Sequence, residues 1–203
     1  MEWTSDERRL FRSLNSPFKI QDYLYRLTYN PEYTTSSPRW VMITEEAHCL
    51  EGCLFAAAAL EFHGHKPVMI NLESHDDDYH AITVYKTKTG WGSLSKSNTT
   101  LLAGRMPFYQ NPRELVMSYF DFFFNTKSRY SLLGFTKPVD LNFYNHWEWR
   151  TSDADLNDMG LEISHRPHQK LLKLSELKKL PRVNPKVTQA CFLGADESGL
   201  FKS

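Results

Sequence analysis

The sequence predicts an α+β domain, and three observations carry that reading. The stretch EEAHCLEGCLFAAAALEFHG, residues 45 to 64, repeats its apolar positions at three- and four-residue spacing, as a helix does. KPVMINL and HAITVY, which follow it, are short and rich in branched and aromatic residues, and KTKTG turns the second back as an antiparallel hairpin through GWGSLSKSN. Composition suits a packed chain: 41% of the 203 residues are hydrophobic and 14% aromatic, and a chain of this length buries roughly 70% of its unfolded surface.

The elements follow in chain order. Residues 1 to 40 open on a short amphipathic stretch and run into NPEYTTSSPRW, whose Pro, Ser and Thr content reads as a loop leading to the core. The helix takes Thr44 as its N-cap, with Glu45 and Glu46 in its first turn; Leu50, Cys53, Leu54, Ala57 and Leu60 form its apolar face and Gly64 ends it. Cys49 then sits near the helix start, with Cys53 one turn further on the same side. ESHDDD reads as an exposed loop between strands, and RELVMSYFDFFFN as an aromatic core helix. HQKLLKLSELKKLPRVNP spaces Leu171, Leu174, Leu177 and Leu180 three apart with lysines between, an amphipathic segment that docks on the core. TQACFLG reads as a last strand before a loose tail. The division expected is a core with its lead-in over residues 1 to 140 and an extension packed on it over 141 to 203.

Charge and cysteine content narrow the function. Twenty-four acidic and 24 basic side chains leave no net field to attract nucleic acid or a membrane surface. The opening MEWTSDERRLF lacks the basic start and apolar run of a signal peptide, and no stretch reaches the about 18 apolar residues of a membrane span, so a cytoplasmic chain is expected. Cys49, Cys53 and Cys191 are an odd number in a chain that does not depend on disulfides, and free thiols are expected. Locally the charge is uneven. Residues 45 to 80 hold eight acids against Lys66, and residues 165 to 186 hold seven bases against Glu176. Two solvated faces are the plainest reading; a basic segment packed across the acidic one, or a basic substrate received there, are the alternatives.

Two chemistries compete for the His and Asp residues. His63, His65, His75, Asp76, Asp77, Asp78 and His80 have the composition of a metal site, but not the spacing of H-E-x-x-H, paired C-x-x-C or a calcium loop. No phosphate-cradling glycine loop is present. Neither a metal nor a cofactor is expected. A nucleophilic thiol needs a base within hydrogen-bond reach and an orienting group behind that base. Cys49 has the positive end of the helix in its favour and His80 heads the next strand pair; the competing reading is a buried thiol that packs as a small apolar side chain.

Order decides between them. A cysteine opening a helix that ends in a glycine (Cys49, Gly64), a histidine before an apolar strand (His80 in HAITVY), and a Gly-Trp pair (Gly90, Trp91) together resemble the transglutaminase-like, papain-like superfamily over about a quarter of the chain. The aromatic helix and KPVDL near Pro138 resemble uncharacterised bacterial proteins of that superfamily. The resemblance implies a papain-like core in which a nucleophile-bearing helix packs on an antiparallel sheet. It implies that Cys49 attacks an amide of a protein or peptide to form a thioester and that His80 moves the proton. Hydrolysis is favoured over transfer to an amine. The family places an aspartate about four residues after the tryptophan, where this chain has Ser95. Asn98, whose amide oxygen accepts an imidazole N–H as asparagine does in papain-like enzymes, is the favoured substitute, with Ser95 the other; a one-residue slip of the hairpin exchanges which side chain faces the ring. The Cys49 backbone N–H serves the oxyanion, with Trp40 the guess for its partner. The missing aspartate supports the alternative, an inactive fold kept as a protein- or peptide-binding module.

Overall fold

Alternation along two strands sets the centre of the molecule. β1 (Val68–Ser74) pairs antiparallel with β2 (His80–Lys86), Met69 opposite Thr83 and Leu72 opposite His80. Successive side chains point to opposite faces. Met69, Ala81 and Tyr85 therefore enter one core, while Ile70, Leu72, Ile82 and Val84 enter another on the far face. Both faces are covered, which is why these strands read as apolar runs rather than as alternating ones. The structure is a computed structural model and describes residues 2 to 201.

Around that pair the sheet grows to seven strands among the described residues, all antiparallel. β3 (Trp91–Leu94) and β4 (Arg105–Tyr109) extend it beyond β2, and β5 (Leu132–Thr136) and β6 (Val139–Asp140) both lie along β1. The hairpin from β2 to β3 turns over residues 87 to 90, where the sequence places it. β7 (His168–Lys170) adds to the free side of β5. The chain is α+β, as predicted.

The first face carries the helix that the sequence singles out. α4 (Cys49–Phe62) is buried from Glu51 through Leu60, so it is a central helix rather than an amphipathic one. Its last turn ends at His63, and Gly64 follows at φ 85°. Three shorter helices wrap it: α1 (Ser5–Ser13), α2 (Pro17–Arg26) and α3 (Pro38–Thr44), which bury Phe11, Ile20, Leu24 and Val41 against it. The first 40 residues are therefore mostly helical core, and the loop expected there is confined to residues 27 to 37. Each of these helices announces itself by a capping residue, Thr4, Ser16 or Ser37, which the short lengths obscure in the sequence.

Thr44 is not the cap of α4. It is the last residue of α3, and Glu45 closes that helix in the left-handed region at φ 56°. Glu46 pairs with Thr28, and α4 begins only after His48. The aromatic segment also differs from the single helix expected. α5 (Pro112–Met117) is six residues long and gives way to a 3-10 turn at Phe120–Phe122. Leu115, Val116, Tyr119 and Phe123 nonetheless all fill the second core. Their three- and four-residue spacing keeps them on one side although the segment is not a single helix.

Residues 141 to 201 contribute to the same cores. Leu141, Tyr144 and Trp149 join the first, as do Met159 and Ile163 on α6 (Asn157–Ser164). The leucine-lysine segment is not a long amphipathic helix: α7 (Leu174–Leu177) is one turn, and of its leucines only Leu177 is buried. The expected last strand is a helix, α8 (Pro185–Cys191), with Asn184 capping and Pro185 first, a start signal that outweighs the branched residues after it. Between the acidic and basic zones an ion pair joins Glu73 to Lys170 at 2.5 Å. No helix of the described residues is long and apolar enough to cross a membrane.

Candidate active site

Cys49 is the first residue of α4, and the cap that precedes it is a histidine. His48 Nδ1 accepts the N–H of Leu50 at 3.2 Å, while Nε2 faces the carbonyl oxygen of Thr34 at 2.9 Å. A carbonyl only accepts, so the proton is on Nε2 and the lone pair of Nδ1 is already engaged. Glu51 completes the box by taking the N–H of His48 at 2.8 Å. Its carboxylate is fully buried and also accepts from Ser36 N and from the Asn30 amide, so one side chain ties the incoming loop to the start of the helix. The spacing from His48 to Glu51 is that of a capping box, but with histidine where Ser or Thr usually stands. That departure hid both residues from the sequence reading.

His80 opens β2 and is buried, its ring edge toward Phe123 with centroids 6.2 Å apart. Nε2 lies 2.7 Å from Ser95 Oγ and 3.2 Å from the carbonyl oxygen of Leu102. Leu102 only accepts, so Nε2 carries the proton here as well. The Cys49 thiol lies 3.7 Å from the carbonyl oxygen of Tyr79, the residue before His80, so the start of α4 and the head of β2 meet at the sulfur. Cys49 and His80, which the sequence pairs, line one cavity.

Of the two candidates for the third residue, Ser95 is the one whose hydroxyl reaches His80, and Asn98, the favoured one, is turned elsewhere. Asn98 uses both ends of its amide on the main chain of Asp196, donating to its carbonyl and accepting its N–H, each at 2.8 Å. Ser95 is held in place by its own backbone. Gln21, on α2, accepts from Ser95 N at 3.0 Å and donates to Ser95 O at 2.9 Å. Gly52 lets α4 approach that strand end, since a Cβ there would lie 2.4 Å from Lys96 Cβ. Lys96 itself is buried and its ammonium donates to Leu27 O. Neither Gln21 nor Gly52 carries a local signal in the sequence, because each acts on a partner far along the chain. Trp40, the guess for a second oxyanion donor, sits on α3 and is not among the residues around the thiol.

The electrostatics favour a thiolate. Burial alone would push the Cys49 thiol up; the neighbouring imidazoles of His48 and His80 outweigh it and hold the thiol well below its ordinary range. Burial opposes a cation on His48, yet the adjacent thiolate and Glu51 raise its proton affinity. Charging that ring would break the cap to Leu50. Cys53, one turn on, is sealed in the core: burial pushes it up to about 12, and Thr83 Oγ1 donates to its carbonyl at 2.5 Å. It packs, as the sequence suggests.

The acidic loop is less exposed than expected. Asp77 accepts from Ser131 Oγ at 2.6 Å and from Asp78 N at 3.0 Å, and burial pushes its carboxyl up to about 6. Asp77 and Asp78 both line the cavity that Cys49 and His80 share. Among the described residues no three His, Cys, Asp or Glu side chains converge as a metal site. His63 instead bonds the carbonyl of Phe11 at 2.7 Å. Comparison of the chain with protein-family models and with curated protein sequences finds no match. Function is therefore read from the site itself.

Proposed function

We propose that the protein is a thiol-dependent amide hydrolase in which Cys49 is the nucleophile, His80 the general base and acid, and Ser95 the orienting residue. The observation that carries the reading is the pair of acceptors at His80 Nε2, Ser95 Oγ at 2.7 Å and Leu102 O at 3.2 Å, which leaves Nδ1 for the thiol. In the first half-reaction the Cys49 proton passes to Nδ1 and the sulfur attacks the amide carbonyl carbon, whose π electrons move to oxygen. The oxyanion is stabilised by the Cys49 N–H and the positive end of α4. Collapse expels the amine, which takes its proton from His80, and leaves a thioester. Water then gives a proton to Nδ1, attacks the thioester, and releases the acid and the thiol.

The order of Cys49, Gly64, His80 and Gly90-Trp91 is that of papain-like and transglutaminase-like enzymes, and a nucleophile-bearing helix against an antiparallel sheet agrees with that core. Mass spectrometry of the protein after treatment with an electrophilic peptide tests the reading. An adduct on Cys49 that is lost in His80→Ala, together with one 18O in the carboxylate released from a peptide amide in labelled water, is the expected result. Modification of no residue, or of all three cysteines alike, overturns it.

A second reading has its own support: a hydroxyl stands where a carboxylate orients the ring in the related enzymes. A module that binds a peptide without cleaving it keeps the cleft and forms no adduct.

A further inference from the structure

The cleft that holds Cys49 and His80 is lined in part by a late segment of its own chain. After α8 the chain runs along this cavity, and Gly199, Leu200 and Phe201 form part of its wall. The segment is extended at Asp196 and again at Leu200, with one 3-10 turn between them. Its attachments are to main-chain atoms. Asn98 pairs with the N–H and the carbonyl of Asp196 as a neighbouring strand would, Thr126 Oγ1 donates to the carbonyl of Phe201 at 3.3 Å, and Thr100 Oγ1 to that of Leu193 at 2.8 Å. Upstream, Phe192 meets Phe124 edge to face at 5.9 Å. Only about 80 Å³ stays open beneath it, against the about 300–1,000 Å³ of pockets that hold small ligands.

We propose that this cleft is a peptide-binding site that reads main chain through Asn98 and Thr126 and seats adjacent bulky apolar side chains, and that residues 196 to 201 are its tethered occupant. The inference rests on the hydrolase reading for what the site does with a peptide, but not for the binding itself. Side chains that hydrogen-bond only to backbone atoms set no demand on the sequence of the ligand, so affinity comes from main-chain pairing and selectivity from the apolar pair. Leu200 and Phe201 mark that pair. A tethered occupant competes at the high effective concentration of an intramolecular ligand, so a free peptide enters only when the strap is released.

Gly199 supplies the means to release it. A Cβ at this position would lie 2.3 Å from Tyr29 Cε1, on a ring that itself walls the cleft, so Gly199→Val evicts the segment without touching the catalytic residues. Asp196→Pro, which removes the N–H that Asn98 accepts and leaves Asn98 itself in the cleft, is the second variant should valine impair folding. The probe is a fluorescent peptide of the sequence GADESGLF, with binding followed by anisotropy, alongside alkylation of Cys49 by a bulky maleimide and by iodoacetamide. Expected are peptide binding to Gly199→Val that is absent in the parent chain, and maleimide labelling faster than in the parent by at least about tenfold, the effect of losing one or more of the main-chain hydrogen bonds that hold the segment. Iodoacetamide, small enough to pass the strap, should change less. Equal maleimide rates in parent and variants overturn the strap; faster labelling without peptide binding overturns the peptide site. The hydrolase reading fails separately, when iodoacetamide labelling of Cys49 is insensitive to His80→Ala while the peptide still binds.

Discussion

Ser95 Oγ lies 2.7 Å from His80 Nε2, and a glutamine 74 residues earlier in the chain holds Ser95 by both its N–H and its carbonyl. A hydroxyl, the weakest common orienting group, is thus fixed by a rigid backbone instead of by charge. It is not alone at the ring, because Leu102 O takes a share of the same N–H.

That division sets the cost of losing the serine. Ser95→Ala leaves Leu102 to hold the tautomer, so acylation of Cys49 by an electrophilic peptide should slow by no more than about tenfold, the value of one neutral hydrogen bond. A thousandfold loss with the fold intact would show that Leu102 does not orient the ring.

Thiol reactivity follows from the two imidazoles. A thiol whose folded pKa is depressed is already thiolate at neutral pH, and its reactivity falls only as pH drops through that lowered value. Cys49 should therefore alkylate at pH 6 to 7, where Cys53, pushed up to about 12, and Cys191, also raised by burial, stay protonated. His80→Ala removes one of the groups that lower Cys49 and should move its pH–rate profile upward. A profile that stays put would assign the thiolate to His48 alone.

Asp77 shifts the other way. Its carboxyl rises from the ordinary 3.8 to about 6, with burial the largest cause and the bonds from Ser131 and Asp78 opposing it. A raised acid pKa means that the native state holds the proton more tightly than the unfolded chain does. Its stabilising effect is complete below pH 4 and disappears as pH rises through 6, an effect of at most about 3 kcal/mol. Asp77→Asn cannot ionise, so its loss of stability between those pH values should be smaller than that of the parent in urea denaturation. Identical slopes would show that the shift is absent.

How much of this was legible follows from the range of each signal. Cys49 at a helix start and His80 at a strand head are set by nearby residues, and so could be read; so could Cys53 as a packed thiol. His48 was missed as a cap because histidine is rarely one, and Thr44, a common cap, stood four residues before it. Choosing between Ser95 and Asn98 required hairpin register, which Gln21 and the Leu94–Thr83 pairing settle only in three dimensions. The helix at Pro185 is legible from Asn184 and Pro185, a cap followed by proline at the first helical position. Asn98 was chosen for an amide that could pair, and it does pair, with the main chain of Asp196.

Gly52 offers the sharpest test of how the site is held, because two effects of opposite sign meet there. In an isolated helix Gly→Ala is favourable by about 1 kcal/mol, since alanine loses less backbone entropy. Here the added Cβ would stand 2.4 Å from Lys96 Cβ and 3.5 Å from its Cα, and neither atom is the free end of a side chain. Relief requires α4 and the Ser95–Lys96 segment to separate, and overpacking of this kind costs about 1–3 kcal/mol. The segment is tied on its other side to Gln21 and to Leu27, so the helix moves as well, and Cys49 with it. Gly52→Ala should therefore lower the urea midpoint despite its better propensity, and should slow acylation more than Ser95→Ala does, because it displaces the thiol and the base together. A variant that is both more stable and fully reactive would mean that the helix and the strand end are not in the contact that this site requires.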